Sequence, residues 1–239
     1  MEKNMSEEAA VSVATLWNRL QAMEEQMRFN GQAYPAGMSR FPFRLTGQGF
    51  FPGGDGLWRD EASVAVRSPG LVALNGIMFL GIDFGTCMTY DRLRKKGFEN
   101  PLTWKHVKRR VARAELNPSF TFFTNAVMGL RNEGSALDRR DWDALPLFKD
   151  FCREFLTYQI ETLRPKLIVV MGPIPRSTLE SLAVGNGITS GRFPRIQFGH
   201  HKSTIYYCTH PYGDFNFDEA RKTRDGIELC DAWTFAQQA

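Results

Sequence analysis

An aspartate, an asparagine and a histidine each stand at the end of a short apolar run. Asp83 follows "GIMFLGI", Asn125 closes "FTFFTN", and His210 follows "TIYYCT". A carboxylate can stabilise a developing cation and orient water. A carboxamide presents a donor and an acceptor side by side. A neutral imidazole can donate to a developing anion without prior protonation, and one such preorganised donor is commonly worth about 2.7–4 kcal/mol. Pro211, directly after His210, lacks a backbone donor and fixes φ, so the run before it must stop there. Each residue also has a plain structural role open to it: Asp83 as a helix N-cap, Asn125 as a turn residue, His210 as a hydrogen-bonded strand terminus. The argument for a site is that all three fall, in order, at strand ends.

Four runs, 76–81, 120–125, 167–172 and 204–209, are apolar without clean alternation, the pattern of strands buried on both faces. Between them lie helical patterns. Residues 6 to 29 repeat Val13, Leu16, Trp17, Leu20, Met23 and Met27 at helical spacing, with Ser6 as a start signal. Residues 141 to 164 carry Leu147, Phe151, Phe155 and Tyr158 on one stripe, and Pro165 ends them. A third helix covers 175–183, starting at Pro175 or Ser177. Strands alternating with helices predict a three-layer α/β/α fold around a central, mostly parallel four-stranded sheet. In such sheets ligands bind outside the carboxyl ends of the strands, where Asp83, Asn125 and His210 would meet. The 239 residues suit a single domain. Within it, 1–75 is read as an N-terminal helix plus an irregular aromatic-rich segment packed on the rest, since the phenylalanines of 30–62 need burial.

Composition narrows the classes. Hydrophobic residues make up 43% and charged residues 23%, as in ordinary globular domains. No run of about 18 apolar residues is present, so no membrane span is expected. The N-terminus lacks the basic-then-apolar order of a secretory signal, which leaves the cytoplasm as the default location. The four cysteines, Cys87, Cys152, Cys208 and Cys230, are scattered without a C-x-x-C pair, so free thiols are expected and no metal centre. The net charge of +4 is modest, but "RLRKKG" (92–97) and "KHVKRRVAR" (105–113) concentrate cations. Such a run is either a solvated helix face or, if it lies beside a site, a phosphate-facing patch. His200 and His201 adjoin each other without a carboxylate or cysteine nearby in sequence, and are read as a solvated or phosphate-facing turn.

Over about 76 to 218 the chain resembles the uracil-DNA glycosylase superfamily. "FLGIDFG" (79–85) is similar to its first motif, most of all to the Gly-Ile-Asn-Pro-Gly of the mismatch-specific branch. "FFTNAV" (122–127) resembles the strand whose terminal asparagine reads uracil. "RPKLIVVMG" (164–172) resembles the third strand, and "THPYG" (209–213) the His-Pro signature. Phe84 stands where the family usually has proline, and Tyr212-Gly213 where Ser-Pro or Gly-Ser is common. The cysteine ligands of the iron–sulfur branches have no counterparts, so no cofactor is implied.

The resemblance implies a monofunctional DNA glycosylase acting on uracil or a related damaged or mismatched pyrimidine, after base flipping. Asp83 would stabilise the oxocarbenium-like sugar and His210 the departing base at O2. Asn125 would meet N3–H and O4 of uracil together, and cytosine presents the opposite pattern. Gly81, Phe84, Gly85 and Tyr90 would line the base pocket, with Phe84, Tyr90 or Phe98 as the stacking ring. Phe215 leads as the wedge, with Tyr212 behind it, in the loop from Pro211 through Gly213. Its aromatics could equally pin that loop to the core. Arg92, Arg94, Lys95 and Lys96 would reach phosphates. The implied partner is DNA, duplex or single-stranded, bound by a monomer in the cytoplasm, at the nucleoid if the cell is bacterial. A second reading is a catalytically inactive nucleic-acid-binding member of the same superfamily. A third, a small-molecule hydrolase or nucleotide-binding α/β protein, lacks a Gly-rich phosphate loop or Ser-centred elbow in the sequence.

Overall fold

The four apolar runs form neighbouring strands of one sheet. The computed structural model describes residues 10–31, 34–40, 71–88, 91, 101–132, 142–183, 189–209 and 219–238. Strand β1 (Ala10–Ser12) pairs antiparallel with β3 (Leu71–Ala73), and β2 (Met38–Ser39) with β6 (Leu130–Arg131). The main sheet holds β4 (Ile77–Gly81), β5 (Thr121–Asn125), β7 (Leu167–Met171), β8 (Arg195–Phe198) and β9 (His201–Cys208) in the order β5-β4-β7-β9-β8. β5, β4, β7 and β9 run parallel, and β8 runs antiparallel to β9 at the edge.

Every residue of β4, β5 and β7 is buried, which requires cover on both faces and explains their unbroken apolar character. Phe79 and Phe123 face each other across β4 and β5 with rings stacked at 5.0 Å. Fully burying one such side chain contributes about 1.5–3 kcal/mol. The sheet thus has five strands rather than the expected four. β8 escaped notice because it is short and alternates, with Ile196 and Phe198 buried and Arg195 and Gln197 partly exposed, the habit of an edge strand.

The helices are α1 (Val13–Phe29), α2 (Pro101–Arg113), α3 (Pro146–Leu163), α4 (Pro173–Leu182) and α5 (Glu219–Gln237). α1 starts at Val13, seven residues after Ser6, because the Ser12 hydroxyl caps it by accepting from Ala14 N at 3.2 Å. Leu16, Trp17, Leu20, Met23 and Met27 are buried as the spacing required. α3 starts later than residue 141, with Pro146 at its first turn, where a missing N–H is harmless. Its buried stripe runs through Phe148, Phe151, Cys152, Phe155, Leu156, Gln159, Ile160 and Leu163. Leu147, expected on that stripe, is 65% exposed. α4 opens at Pro173, two residues before the earlier of its expected starts. α5 had no counterpart in the sequence reading; it packs on α2, β9 and β7. α3 packs on α1, α4 and β8. No helix among the described residues is long and apolar enough to cross a membrane.

Candidate functional site

The register puts the carboxyl ends of the four parallel strands along one edge. Gly81 is level with Asn125, Leu80 with Val170, and Met171 with Cys208. The chain steps from β4 to β5 on one side and then crosses to β7 on the other. β4 and β7 therefore flank the topological switch point, where open α/β sheets bind ligands.

β4 and β5 do not separate where their strands end. Ala126 N donates to Gly81 O and Val127 N to Ile82 O, each at 2.9 Å, and Arg131 N donates to Gly85 O at 2.9 Å. Thr86 bridges Arg131 in parallel. Asp83 and Asn125 are thereby brought together on adjoining backbones. Asp83 Oδ1 accepts from Gly85 N at 2.8 Å, closing a turn that Gly85 permits at φ 81°. Asp83 Oδ2 is 2.8 Å from Arg131 Nε, with the two side chains only 10% and 16% exposed. The carboxylate thus holds one partner on each oxygen.

Asn125 is buried. A Cβ at Gly81 would lie 2.3 Å from its Oδ1, so glycine is what lets the amide lie over the neighbouring strand. Among the described residues the Asn125 amide makes no side-chain hydrogen bond, which leaves its donor and acceptor available to a ligand. Gly81 and Asn125 are level on adjoining strands, and Asp83 and Gly85 follow in the turn after Gly81. Phe84 is not open to this edge: its ring is 5% exposed and belongs to the core, so in this conformation it offers no free face for stacking.

The other flank of the edge is held differently. Gly172, at φ 103°, donates its N–H to Cys208 O at 3.1 Å. Arg110 of α2, 5% exposed, turns inward instead of joining the solvated face that its basic run suggested. Its Nη1 donates to Thr209 O at 2.9 Å and to Cys208 Sγ at 3.1 Å, and its Nη2 to Thr209 Oγ1 at 3.1 Å. It pins the residue immediately before His210. Over β9, the Arg176 guanidinium of α4 lies 4.6 Å from the centre of the Tyr207 ring. Burial, with the Glu180 carboxylate adding, pushes the Tyr207 phenol up to about 12.

His210, Pro211, Tyr212, Gly213 and Phe215 lie outside the described residues, as do Tyr90, Arg92, Arg94, Lys95, Lys96 and Phe98. Strands lie about 4.8 Å apart, so β9 is about 10 Å from β4. A group following Thr209 has to reach back over β7 to meet Asp83. His201 sits at the opposite, amino end of β9, and its Nε2 is 2.8 Å from Pro165 O. A carbonyl only accepts, so that nitrogen carries the proton. No cluster of three metal-ligating side chains occurs among the described residues.

Arg131 and Arg110 were not singled out in the sequence reading. Arg131 stands alone with no motif around it, and Arg110 is one cation among many. Compared with known proteins, the chain matches no family model and no curated protein.

Proposed function

We propose that this protein is a DNA glycosylase that hydrolyses the N-glycosidic bond of uracil or a related damaged or mismatched pyrimidine, as a monomer acting on a flipped base. The observation that carries the proposal is that the β4–β5 ladder continues past both strands, so that Asp83 and Asn125 stand on adjoining backbones beside the switch point. The mostly parallel sheet with helices between its parallel strands is compatible with the uracil-DNA glycosylase-like three-layer architecture read from the sequence. Reversal of direction after β5, together with the usual right-handedness of such crossovers, favours α2 and α3 lying on opposite faces of the sheet.

In this reading Asn125 meets N3–H and O4 of the base. Asp83 stabilises positive charge at C1′ and orients a water. The C1′–N1 bond breaks with its electron pair leaving on the base, water adds at C1′, and its proton is released as the base anion is protonated. His210 donates to O2 of the leaving base. Phe215 fills the gap in the stack, and Arg92, Arg94, Lys95 and Lys96 meet phosphates.

One observation favours a second reading, a nucleic-acid-binding member without turnover. The Asp83 carboxylate already faces a guanidinium, which offsets the charge it would offer an oxocarbenium-like centre. Duplex and single-stranded oligonucleotides carrying uracil, hypoxanthine, xanthine or hydroxymethyluracil, treated with alkali after incubation, separate the two. Strand breaks at the modified base that vanish in Asp83→Ala support the enzyme. Tight, salt-dependent binding with no breaks on any substrate supports the second reading.

A further inference from the structure

We infer that Arg131 is a positioning residue that holds the Asp83 carboxylate, and that the N-terminal segment around Met38 buttresses it. The inference rests on the glycosylase reading for its catalytic consequence, though the hold itself can be measured without activity.

Arg131 is fixed from both sides before its side chain does anything. Its N–H donates to Gly85 O at 2.9 Å, and Thr86 bridges it. On the other side it pairs with Met38 of β2. The next residue extends the clamp: Asn132 N donates to Gly37 O at 2.8 Å, and Asn132 Oδ1 accepts from the Ser39 hydroxyl and, at 3.7 Å, from the Cys87 thiol. Gly129, just ahead, packs tightly enough that a Cβ would meet Met38 Cε at 3.0 Å and Tyr34 Cε1 at 3.2 Å. Tyr34 is itself held by the Glu24 carboxylate of α1, which accepts from its hydroxyl.

A guanidinium with its backbone locked in this way defines where Asp83 Oδ2 sits, while Gly85 N defines Oδ1. With both oxygens fixed, rotation of the carboxylate about its terminal torsion, otherwise a soft motion, is suppressed. Pairing the two nearly buried charges also offsets part of the cost of taking each out of water. The segment 34–40 therefore contributes to the site through Arg131 without reaching the ligand.

The test compares wild type, Arg131→Met and Arg131→Lys by deuterium exchange of the Gly85 amide and by kcat and KM on a uracil-containing oligonucleotide, with thermal unfolding alongside. The expected result is faster exchange at Gly85 in Arg131→Met and a kcat lowered about 100-fold, the scale of a misplaced catalytic group, with KM little changed. Arg131→Lys, which restores the charge, is expected to recover much of both. Exchange at Gly85 and a kcat equal to wild type in Arg131→Met would overturn the inference. So would a loss of kcat that merely tracks a lowered melting temperature and is not recovered by lysine. If wild type excises nothing while Arg131→Met still frees Gly85, the glycosylase reading fails and the hold on Asp83 stands.

Discussion

The two flanks of the carboxyl edge are stabilised by different means. On the β4–β5 flank, backbone hydrogen bonds continue past the strands through Ala126, Val127 and Arg131, so the loop bearing Asp83 is an extension of the sheet. On the β9 flank, Gly172 N–H holds Cys208 O, and the residue beyond, Thr209, is tied by the buried side chain of Arg110 reaching across from α2. A ladder shares its load among many weak bonds, and no single side chain is essential to it. A guanidinium tie is strong, since hydrogen bonds to charged groups are worth about 1.5–3 kcal/mol each, but it fails when one residue is lost. The loop bearing Asp83 should therefore keep its backbone course when one side chain is changed, whereas the β9 end should loosen when Arg110 is lost.

The largest expected effect is chemical. In the glycosylase reading, Asp83→Ala should lower excision by at least about 100-fold, the scale of removing one preorganised electrostatic group. It should also lower the unfolding midpoint, because Arg131 and Gly85 N lose the carboxylate they share. Single-turnover kinetics well below the midpoint, and calorimetry, check the two effects. A loss of excision no larger than the loss of folded protein would remove Asp83 from the chemistry. Next, Arg110→Met should destabilise the fold by about 1.5–3 kcal/mol, read from denaturant unfolding, because Thr209 and Cys208 lose their donor. An unchanged midpoint would mean that α2 is not what holds the β9 end.

A smaller effect sharpens the comparison within the first flank. Gly81→Ala brings a Cβ to 2.3 Å from Asn125 Oδ1, so the amide must move. The expected cost of such overpacking is about 1–3 kcal/mol, accompanied by weaker discrimination between uracil and cytosine in competition assays. Retained discrimination would place base reading elsewhere than Asn125.

The smallest effect belongs to the amino edge, away from both flanks. Burial holds the His201 imidazole below its ordinary value, so the folded protein keeps it neutral. As pH falls through about 6.5 the unfolded chain takes up the proton first. This group's contribution to stability is thus complete above that pH, and it declines below it until the folded protein is protonated too. His201→Gln should flatten that acid-side decline in melting temperature measured between neutral pH and about pH 5, the range below the imidazole's ordinary value. An identical decline in the variant would assign it to other groups.

Much of the framework was written into the chain itself. Four runs without alternation are the pattern of strands covered on both faces, and β4, β5 and β7 appear within a residue of their expected bounds. The positions of Asp83 and Asn125 at strand ends followed from that alone, because a strand's end is a local property. What is not local was not legible. β8 is too short and too polar to announce itself, and α5 was overlooked among mixed residues whose helical face is defined by what it packs on, α2 and β9. The pairing of Asp83 with Arg131, 48 residues apart, and the inward turn of Arg110 depend on distant segments converging. No spacing in the sequence encodes either contact, since a basic residue reads the same whether it faces water or a carboxylate. Sequence alone set Asp83 and Asn125 at the sheet's carboxyl edge, and tertiary packing decided which charge holds Asp83 there and buried Phe84 in the core.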